Sequence, residues 1–276
     1  IMRAGVIYLV PVPIGNLGDI TLRALDTLKQ VSLIACEDTR KTAFLLSQYE
    51  ISIPKLLSFH KFNERSREKV IFEHLDKGED IAVVSDAGSP AISDPAQLLV
   101  AEAVKHQYTV QALPGATAFV PALSISGFST SAFQFIGFLP AKNKAREAIL
   151  TQIAHYPFPS IVYESVHHLK ASLEDMLPFF PRRRIAIARE ISKLHEECVR
   201  GILEDLLANY DITEKGEFVI VIDGAEEPQI DFPNEEAIRL VAEAKGKKSR
   251  ELAADLAQRF GVSKNRAYAF VLEQRK

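Results

Sequence analysis

The sequence predicts an α/β protein with two α/β domains, the first on a mainly parallel sheet and the second on a mixed one, plus a small helical tail. Three observations lead there. Between residues 6 and 115 short β-branched runs alternate with helix-patterned stretches, as in βαβ units. Several of those runs end in loops of Gly, Pro, acidic and hydroxyl residues rather than in hairpin turns. Beyond residue 233 the pattern turns helical and basic. The expected division is 1–117, 118–225 and 234–276.

Val6 to Val10 is the first buried strand, followed by the loop Pro11–Asp19 with two prolines and two glycines. Leu22, Leu25 and Leu28 recur at helical spacing. Val31 to Ala35 is the second strand, ending in Cys36-Glu37-Asp38-Thr39-Arg40, and a helix runs through Phe44, Leu45 and Leu46. Leu56 to Phe59 is a weaker third strand. Asn63 to Lys77 is a charged helix with Val70, Ile71 and Leu75 inward. Ile81 to Ser85 is the fourth strand and enters Asp86-Ala87-Gly88-Ser89-Pro90-Ala91-Ile92-Ser93-Asp94-Pro95, a tight turn with a capping acid or one wall of a ligand site. Ala96 to Lys105 is helical, and Thr109 to Leu113 is a fifth strand ending in Pro114-Gly115-Ala116-Thr117-Ala118. Right-handed crossovers place all these strand-end loops on one edge, where open α/β sheets bind ligands.

The second half has a different texture. Phe133 to Phe138 reads as a half-exposed strand, the polar stretch Lys142–Arg146 opens a helix, and Ile161–Glu164, Ile185–Arg189 and Phe218–Ile222 are strands. In the polar run Arg189–Glu197, His195 and Glu196 read as part of a polar strand. Residues 224–233 read as a linker. In the tail, Gly261-Val262-Ser263 separates two amphipathic segments, with Ser263 as N-cap of the last. That pattern suits a helix-turn-helix-like nucleic-acid module or a purely structural helical hairpin.

No apolar run among the 276 residues approaches the ~18–20 needed to span a bilayer. No basic-then-apolar signal segment opens the chain, Ile1 ahead of Met2 being set aside, and a cytoplasmic location is expected. Cys36 and Cys198 form neither a disulfide framework nor a metal spacing. The net charge of −3 hides an asymmetry: residues 245–276 hold nine Lys/Arg against three Asp/Glu, so this +6 stretch sits on a body of −9. Such a tail suits a local anionic partner or a solvated helical surface.

Familiar nucleotide templates fit poorly. Gly15 and Gly18 give only G-x-x-G, with prolines where a dinucleotide phosphate turn would lie. The G-x-x-x-x-G-K-[ST] phosphate loop and the G-x-S-x-G elbow are absent. The strand-end loops instead suit a flat, polar small molecule such as an adenosine derivative, contacted through backbone groups.

The run Tyr8-Leu9-Val10-Pro11-Val12-Pro13-Ile14-Gly15-Asn16-Leu17-Gly18-Asp19 resembles the opening of the tetrapyrrole-methylase superfamily, and the resemblance continues through Ile20-Thr21-Leu22-Arg23-Ala24-Leu25, Cys36–Arg40 and Ser85–Pro95. It persists in Leu113–Ala118, Gly137-Phe138-Leu139-Pro140, Ala188–Lys193 and Gly216–Val221, covering residues 5–225. The subgroup most resembled methylates small-subunit ribosomal RNA and carries a similar basic tail. The resemblance implies an S-adenosylmethionine-dependent methyltransferase with the cofactor between two α/β domains, usually a homodimer. Its implied reaction is methylation of a cytidine ribose 2′-hydroxyl in the decoding region of small-subunit (16S) rRNA. Carried over by motif, Pro11 and Pro13 would line the site, while Asp86, Ala87, Gly88, Pro90 and Ile92 would wrap the methionine and ribose part. Thr117 and Ala118 would add a hydroxyl and a close backbone approach. Tyr163, Glu164 and the Phe218–Ile222 strand, Ile222 included, would wall the adenine. The chain departs from the subgroup at Val166-His167-His168, usually Pro-His-Arg, and at Ala96, usually Gly.

Methyl transfer from a sulfonium needs positioning and help in removing the hydroxyl proton. Asp38, Arg40, Glu190 and Lys193 are the catalytic candidates, as polar clusters at strand ends; the alternative is an ion-pair network between loops. Arg189 and Lys193 could also hold RNA phosphates. His60, His167, His168 and His195 have no metal-ligand spacing, and no metal is expected. Arg182-Arg183-Arg184 reads as a solvated turn or a phosphate track beside the cleft, and Phe133, Phe135 and Phe138 as core or dimer contact. Competing readings are a corrin-precursor (tetrapyrrole) methylase, which would generally lack the tail, and a non-enzymatic ribosome- or RNA-binding protein with a degenerate cleft.

Overall fold

The computed structural model describes residues 4–94, 96–141, 144–209, 216–226, 232–244 and 246–275. Pro95, Lys142 and the middle of the expected linker lie outside them.

The chain begins β1 (Val6–Leu9), a 3₁₀ turn (Leu17–Asp19), α1 (Leu22–Gln30), β2 (Leu33–Cys36), α2 (Thr39–Gln48), β3 (Lys55–Ser58), α3 (Glu64–Asp76), β4 (Ile81–Val84), α4 (Ala96–Lys105) and β5 (Thr109–Ala112). These strands form one parallel sheet in the order β3-β2-β4-β1-β5, with Ile7 in register between Ile81 and Val110. β2 and β4 are buried along their whole length because helices cover both faces. Alternation at period two sends Leu33, Ala35, Ile81 and Val83 to one core with Ile71, Leu75 and Leu99. It sends Ile34, Cys36, Ala82 and Val84 to the other, with Ala24, Leu28 and Leu46. Each fully buried Ile or Leu there contributes about 1.5–3 kcal/mol.

The chain crosses to a second sheet through α5 (Phe119–Ser126), β6 (Gln134–Phe138), α6 (Lys144–His155), β7 (Ser160–Ser165), a 3₁₀ turn (Val166–His168), α7 (Leu169–Met176), β8 (Arg184–Arg189), β9 (Glu197–Ile202), α8 (Leu203–Asn209) and β10 (Glu217–Ile222). The order is β6-β7-β10-β8-β9, with β6 and β7 parallel and every other pair antiparallel. The expected two-sheet α/β architecture, parallel then mixed, is therefore present. One expectation fails: His195 and Glu196 are turn residues, and the polar strand begins at Glu197. β9 is an edge strand with none of its residues fully buried, and its sequence Glu197-Cys198-Val199-Arg200-Gly201-Ile202 leaves no clean apolar alternation to detect.

Residues 1–224 form one compact unit and 225–276 another. The second contains α9 (Glu235–Glu243), α10 (Ser249–Phe260) and α11 (Lys264–Gln274) around Phe232, Leu252, Leu256 and Phe270. Gly261 ends α10 in the left-handed conformation (φ 66°), and Ser263 caps α11 by accepting from Arg266 N–H, as the pattern predicts. Among the described residues no helix is long and apolar enough to cross a membrane.

Candidate active site

Because β1, β2, β4 and β5 are parallel, their carboxyl-end loops share one edge. The loop after β4 is fixed by its own side chains. Gly88, at φ 75°, exchanges two 3.0 Å hydrogen bonds with Val12, pinning the loop after β1. Ser85 donates to the carbonyls of Ala87 and Gly88, and Ser89 Oγ donates to Ala116 O at 2.9 Å. Ala91 (φ 68°) and Ser93 (φ 62°) are left-handed without being glycine, a strained pair. Asp94 braces them by accepting Ala91 N–H and Ala96 N–H, each at 2.8 Å, so Asp94 rather than Asp86 is the acid that supports the turn into α4.

This loop faces the carboxyl end of β7 and the amino end of β10 across a cleft of about 370 Å³. Ile14, Ile92, Phe138, Tyr163 and Val219 supply its apolar surface. Burial pushes the pKa of the Tyr163 hydroxyl up. Five carboxylates line the space, Glu37, Asp86, Asp94, Glu164 and Glu217, and its described lining contains no Lys, Arg or His. Asp86 is paired from outside by Lys41 at 2.6 Å and Glu217 by Lys193 at 3.1 Å. Asp94 and Glu164 are held by neutral donors, Asp94 by the Ala91 and Ala96 N–H groups and Glu164 by Ser165 N–H and the Ser172 hydroxyl. Behind Glu164, Ser172 also accepts from the buried Arg146 at 2.9 Å. Burial pushes the Glu37 carboxyl above its ordinary value, and the Asp86 charge adds to it.

Of the residues expected to bind cofactor, the cleft brings together Asp86, Ala87, Gly88, Ile92, Thr117, Ala118, Tyr163 and Glu164. Pro11, Pro13 and Pro90 are buried beneath or beside it; Pro11 packs on Gly115, and Pro13 lines a neighbouring groove with Asp38, Arg40 and Lys41. Ile222 does not reach the cleft. It is fully buried at the far end of β10, opposite Ser160 and Ile185, where period-two alternation turns it into the core with Ile220. Arg182–Arg184 are at that far end too, Arg184 paired with Asp223 at 2.5 Å, so they form no track beside the cleft.

The four catalytic candidates fall into two pairs in different places. Arg40 forks onto both oxygens of Asp38 (Nε 3.1 Å, Nη2 2.7 Å), which holds the Asp38 carboxyl well below the usual carboxylate range. Lys193 bonds Glu190 at 2.9 Å and Glu217 at 3.1 Å, its stem lies over Gly15, and Ser192 beside it bonds Asp19. The second pair thus ties the loop after β1 to the second sheet, which is the network alternative. Sequence reasoning missed Glu37, Lys41, Ser93 and Glu217 as lining or supporting residues. Glu37 stands beside Asp38 in a motif already singled out; burial sets Glu37 apart while Arg40 claims Asp38, and the burial is tertiary. Phe138, expected in core or dimer contact, lines the cleft at 58% exposure.

Comparison with known proteins agrees with this geometry. The family model for Tetrapyrrole (Corrin/Porphyrin) Methylases matches residues 6–207. A Synechocystis protein named ribosomal RNA small subunit methyltransferase I is 41% identical over 98% of each chain. Its namesake from Halalkalibacterium halodurans is 46% identical over 80% of this chain and 76% of its own. In fold, the chain is similar to uroporphyrin-III C-methyl transferase from Thermus thermophilus, solved with S-adenyl homocysteine, at TM-score 0.57 and 18% identity over 79% of this chain and 97% of that one. The chain therefore belongs to the tetrapyrrole methylase family and, within it, to the ribosomal RNA small subunit methyltransferase I group.

Proposed function

We propose that this protein is an S-adenosylmethionine-dependent methyltransferase of small-subunit ribosomal RNA, acting in the cytoplasm as a homodimer on a cytidine ribose 2′-hydroxyl in the decoding region. In this reading two α/β domains, 1–117 and 118–225, share the cofactor, and the basic tail 234–276 adds grip on the RNA. The charge of the cleft is the observation that carries the donor assignment. Five lining carboxylates with no lining cation repel a phosphorylated nucleotide and attract a ligand with a sulfonium and an ammonium group. The volume, about 370 Å³, lies within the range of small-ligand sites. The relatives' names support the substrate.

S-adenosylmethionine would supply an electrophilic methyl group on its sulfonium. Asp86, Ala87, Gly88, Ile92, Thr117, Ala118, Tyr163 and Glu164 would hold it, the loop by close main-chain approach and Tyr163 by apolar contact. Removing the hydroxyl proton falls to Glu37. Asp86 is committed to Lys41 and to Asp38 N–H, and Asp38 is committed to Arg40, whereas burial raises the proton affinity of Glu37. The acceptor hydroxyl would give its proton to the Glu37 carboxylate as its oxygen gains the methyl and the sulfonium–methyl bond breaks to leave a thioether, with Tyr163 and Phe138 as apolar surface on the second-sheet side.

Calorimetry with S-adenosylmethionine and ATP, then labelled-methyl transfer to undermethylated small ribosomal subunits, tests this reading. Tight binding of the first ligand, none of the second, and one methyl per subunit are expected. Preference for ATP, or methyl transfer to a tetrapyrrole and not to RNA, would overturn it.

A further inference from the structure

A groove of about 510 Å³ runs beside the donor cleft, between the loop after β1 and the start of α2. The two spaces share Ser85 and Asp86 as a common wall. Their chemistry differs. The described lining of the cleft has carboxylates and no cation, whereas the groove balances Asp38 and Asp86 with Arg40 and Lys41, whose side chains are 89% and 63% exposed. Phe44 also lies along it, 64% exposed, on a helix whose buried residues are Thr42 and Leu46. Asp38 grips Arg40 through Nε and Nη2, which fixes the guanidinium in place with its remaining edge toward solvent.

We infer that this groove is the seat of the acceptor nucleotide, with its base on the face of Phe44 and the flanking phosphates on Arg40 and Lys41. The inference rests on the RNA methyl-transfer reading above and names that substrate's place. In-line transfer needs the reacting atoms about 3–3.5 Å apart, so the acceptor space must open onto the donor space. A polyanion is excluded from the acidic cleft, whereas the groove offers it the solvent-facing donors of Arg40 and Lys41, and an exposed aromatic ring beside them suits a stacked base. A ribose lying over the Ser85–Asp86 wall would then present its hydroxyl toward Glu37, the carboxylate next to Asp86.

The test uses the full chain with Phe44→Ala, Phe44→Tyr and Arg40→Ala, read by kcat/KM on undermethylated small ribosomal subunits and by calorimetry with S-adenosylmethionine. Phe44→Ala should lower kcat/KM about tenfold with cofactor affinity unchanged, and Phe44→Tyr should restore it, because stacking needs only a ring. Arg40→Ala should reduce the slope of log affinity for the subunit against log salt by about one, the signature of one lost phosphate contact. Unchanged kcat/KM in Phe44→Ala overturns the inference. So does a loss that tracks dissociation into monomers and is reversed at high protein concentration, because the ring would then serve a second copy of the chain. Wild-type protein that transfers methyl to no RNA overturns both this inference and the function proposed above, whereas normal wild-type activity with unaffected variants overturns the inference alone.

Discussion

The two walls of the cleft are made of different material. On the first-sheet side the wall is largely main chain: Ser85 to Asp94 and Thr117–Ala118 are mostly small residues braced by hydrogen bonds, with Gly88, Ala91 and Ser93 left-handed, to which Ile14, Ile92, Asp86 and Asp94 add side chains. On the second-sheet side it is side chain: Phe138, Tyr163, Glu164 and Phe218 project from strands, with Phe138 and Tyr163 rings edge to face at 5.6 Å. A main-chain wall gives shape and hydrogen-bonding edges but is intolerant of change. A side-chain wall gives apolar area and yields to substitution one residue at a time. Glu37 belongs to the first wall by position but acts through its carboxylate, so it gives the sharpest test.

Glu37→Gln keeps the volume and removes the proton acceptor. We expect kcat to fall by about 10²–10⁴-fold with little change in S-adenosylmethionine affinity, measured by labelled-methyl transfer and calorimetry. In the wild type, kcat/KM should rise with pH through the raised Glu37 value, and the variant should lose that limb. Stability moves the other way. A carboxyl whose folded pKa lies above its unfolded one binds more protons when folded, so wild-type stability falls as pH rises through that window. The Gln variant lacks this fall and should melt higher at neutral pH, an activity–stability trade that a purely structural residue would not show.

The same contrast governs what could be read from sequence. The main-chain wall was legible because its Gly, Pro and hydroxyl residues are contiguous and follow apolar runs, which marked the loops as a ligand edge, and the family resemblance then named Asp86, Ala87, Gly88 and Thr117 within them. The side-chain wall was legible only in part. Tyr163 and Glu164 came with a recognisable motif, but whether Phe138 or Ile222 faces the ligand depends on strand register and on which end of β10 meets the loops. A bulge between Phe135 and Gly137 shifts the register of β6, and β10 runs antiparallel to β7, so its amino end is at the cleft. Neither fact is local. Glu37 and Asp38, adjacent acids with opposite pKa directions, divide the same way: the burial that raises Glu37 is tertiary, whereas the Arg40 that lowers Asp38 is two residues away.

Paired substitutions should separate the walls. Gly88→Val forces a β-branched residue to φ 75°, costing about 1–2 kcal/mol or more in backbone strain. Its Cβ would meet only Ile14 Cγ2 at 3.4 Å and Ala116 O at 3.7 Å, so conformation rather than collision drives the loss. A melting temperature lower by about 2–8 °C and a clear loss of cofactor affinity should appear together in scanning calorimetry and titration. Phe138→Ala removes a ring that is 58% exposed, so stability should move by less than about 0.5 kcal/mol. Cofactor affinity should fall about fivefold, roughly 1 kcal/mol of lost apolar contact. If Phe138→Ala unfolds the protein and Gly88→Val is silent, the assignment of materials to the two walls is reversed.

The smallest effect concerns the latch that closes one end of the cleft. Lys193→Met keeps the stem over Gly15 and deletes the charge that meets Glu190 and Glu217. Hydrogen bonding to Lys193 lowers the Glu190 pKa below its ordinary 4.5. A lowered carboxyl contributes stability above its unfolded value, and that contribution is lost as pH falls through the folded one. For Lys193, burial opposes the charge, but the bonds to Glu190 and Glu217 raise its pKa overall; its own contribution is present below 10.5 and lost as pH rises past its folded value. The pair is partly exposed, so less than about 1 kcal/mol is at stake at neutral pH. The Met variant should therefore melt within a few degrees of wild type at pH 7 and show a shallower decline between about pH 5 and 3. Its cofactor affinity should hold, because the latch touches neither wall's ligand-facing atoms except through Glu217. A large loss of binding would mean that the ionic latch sets the separation of the walls, and that the main-chain side is less rigid than its hydrogen bonds imply.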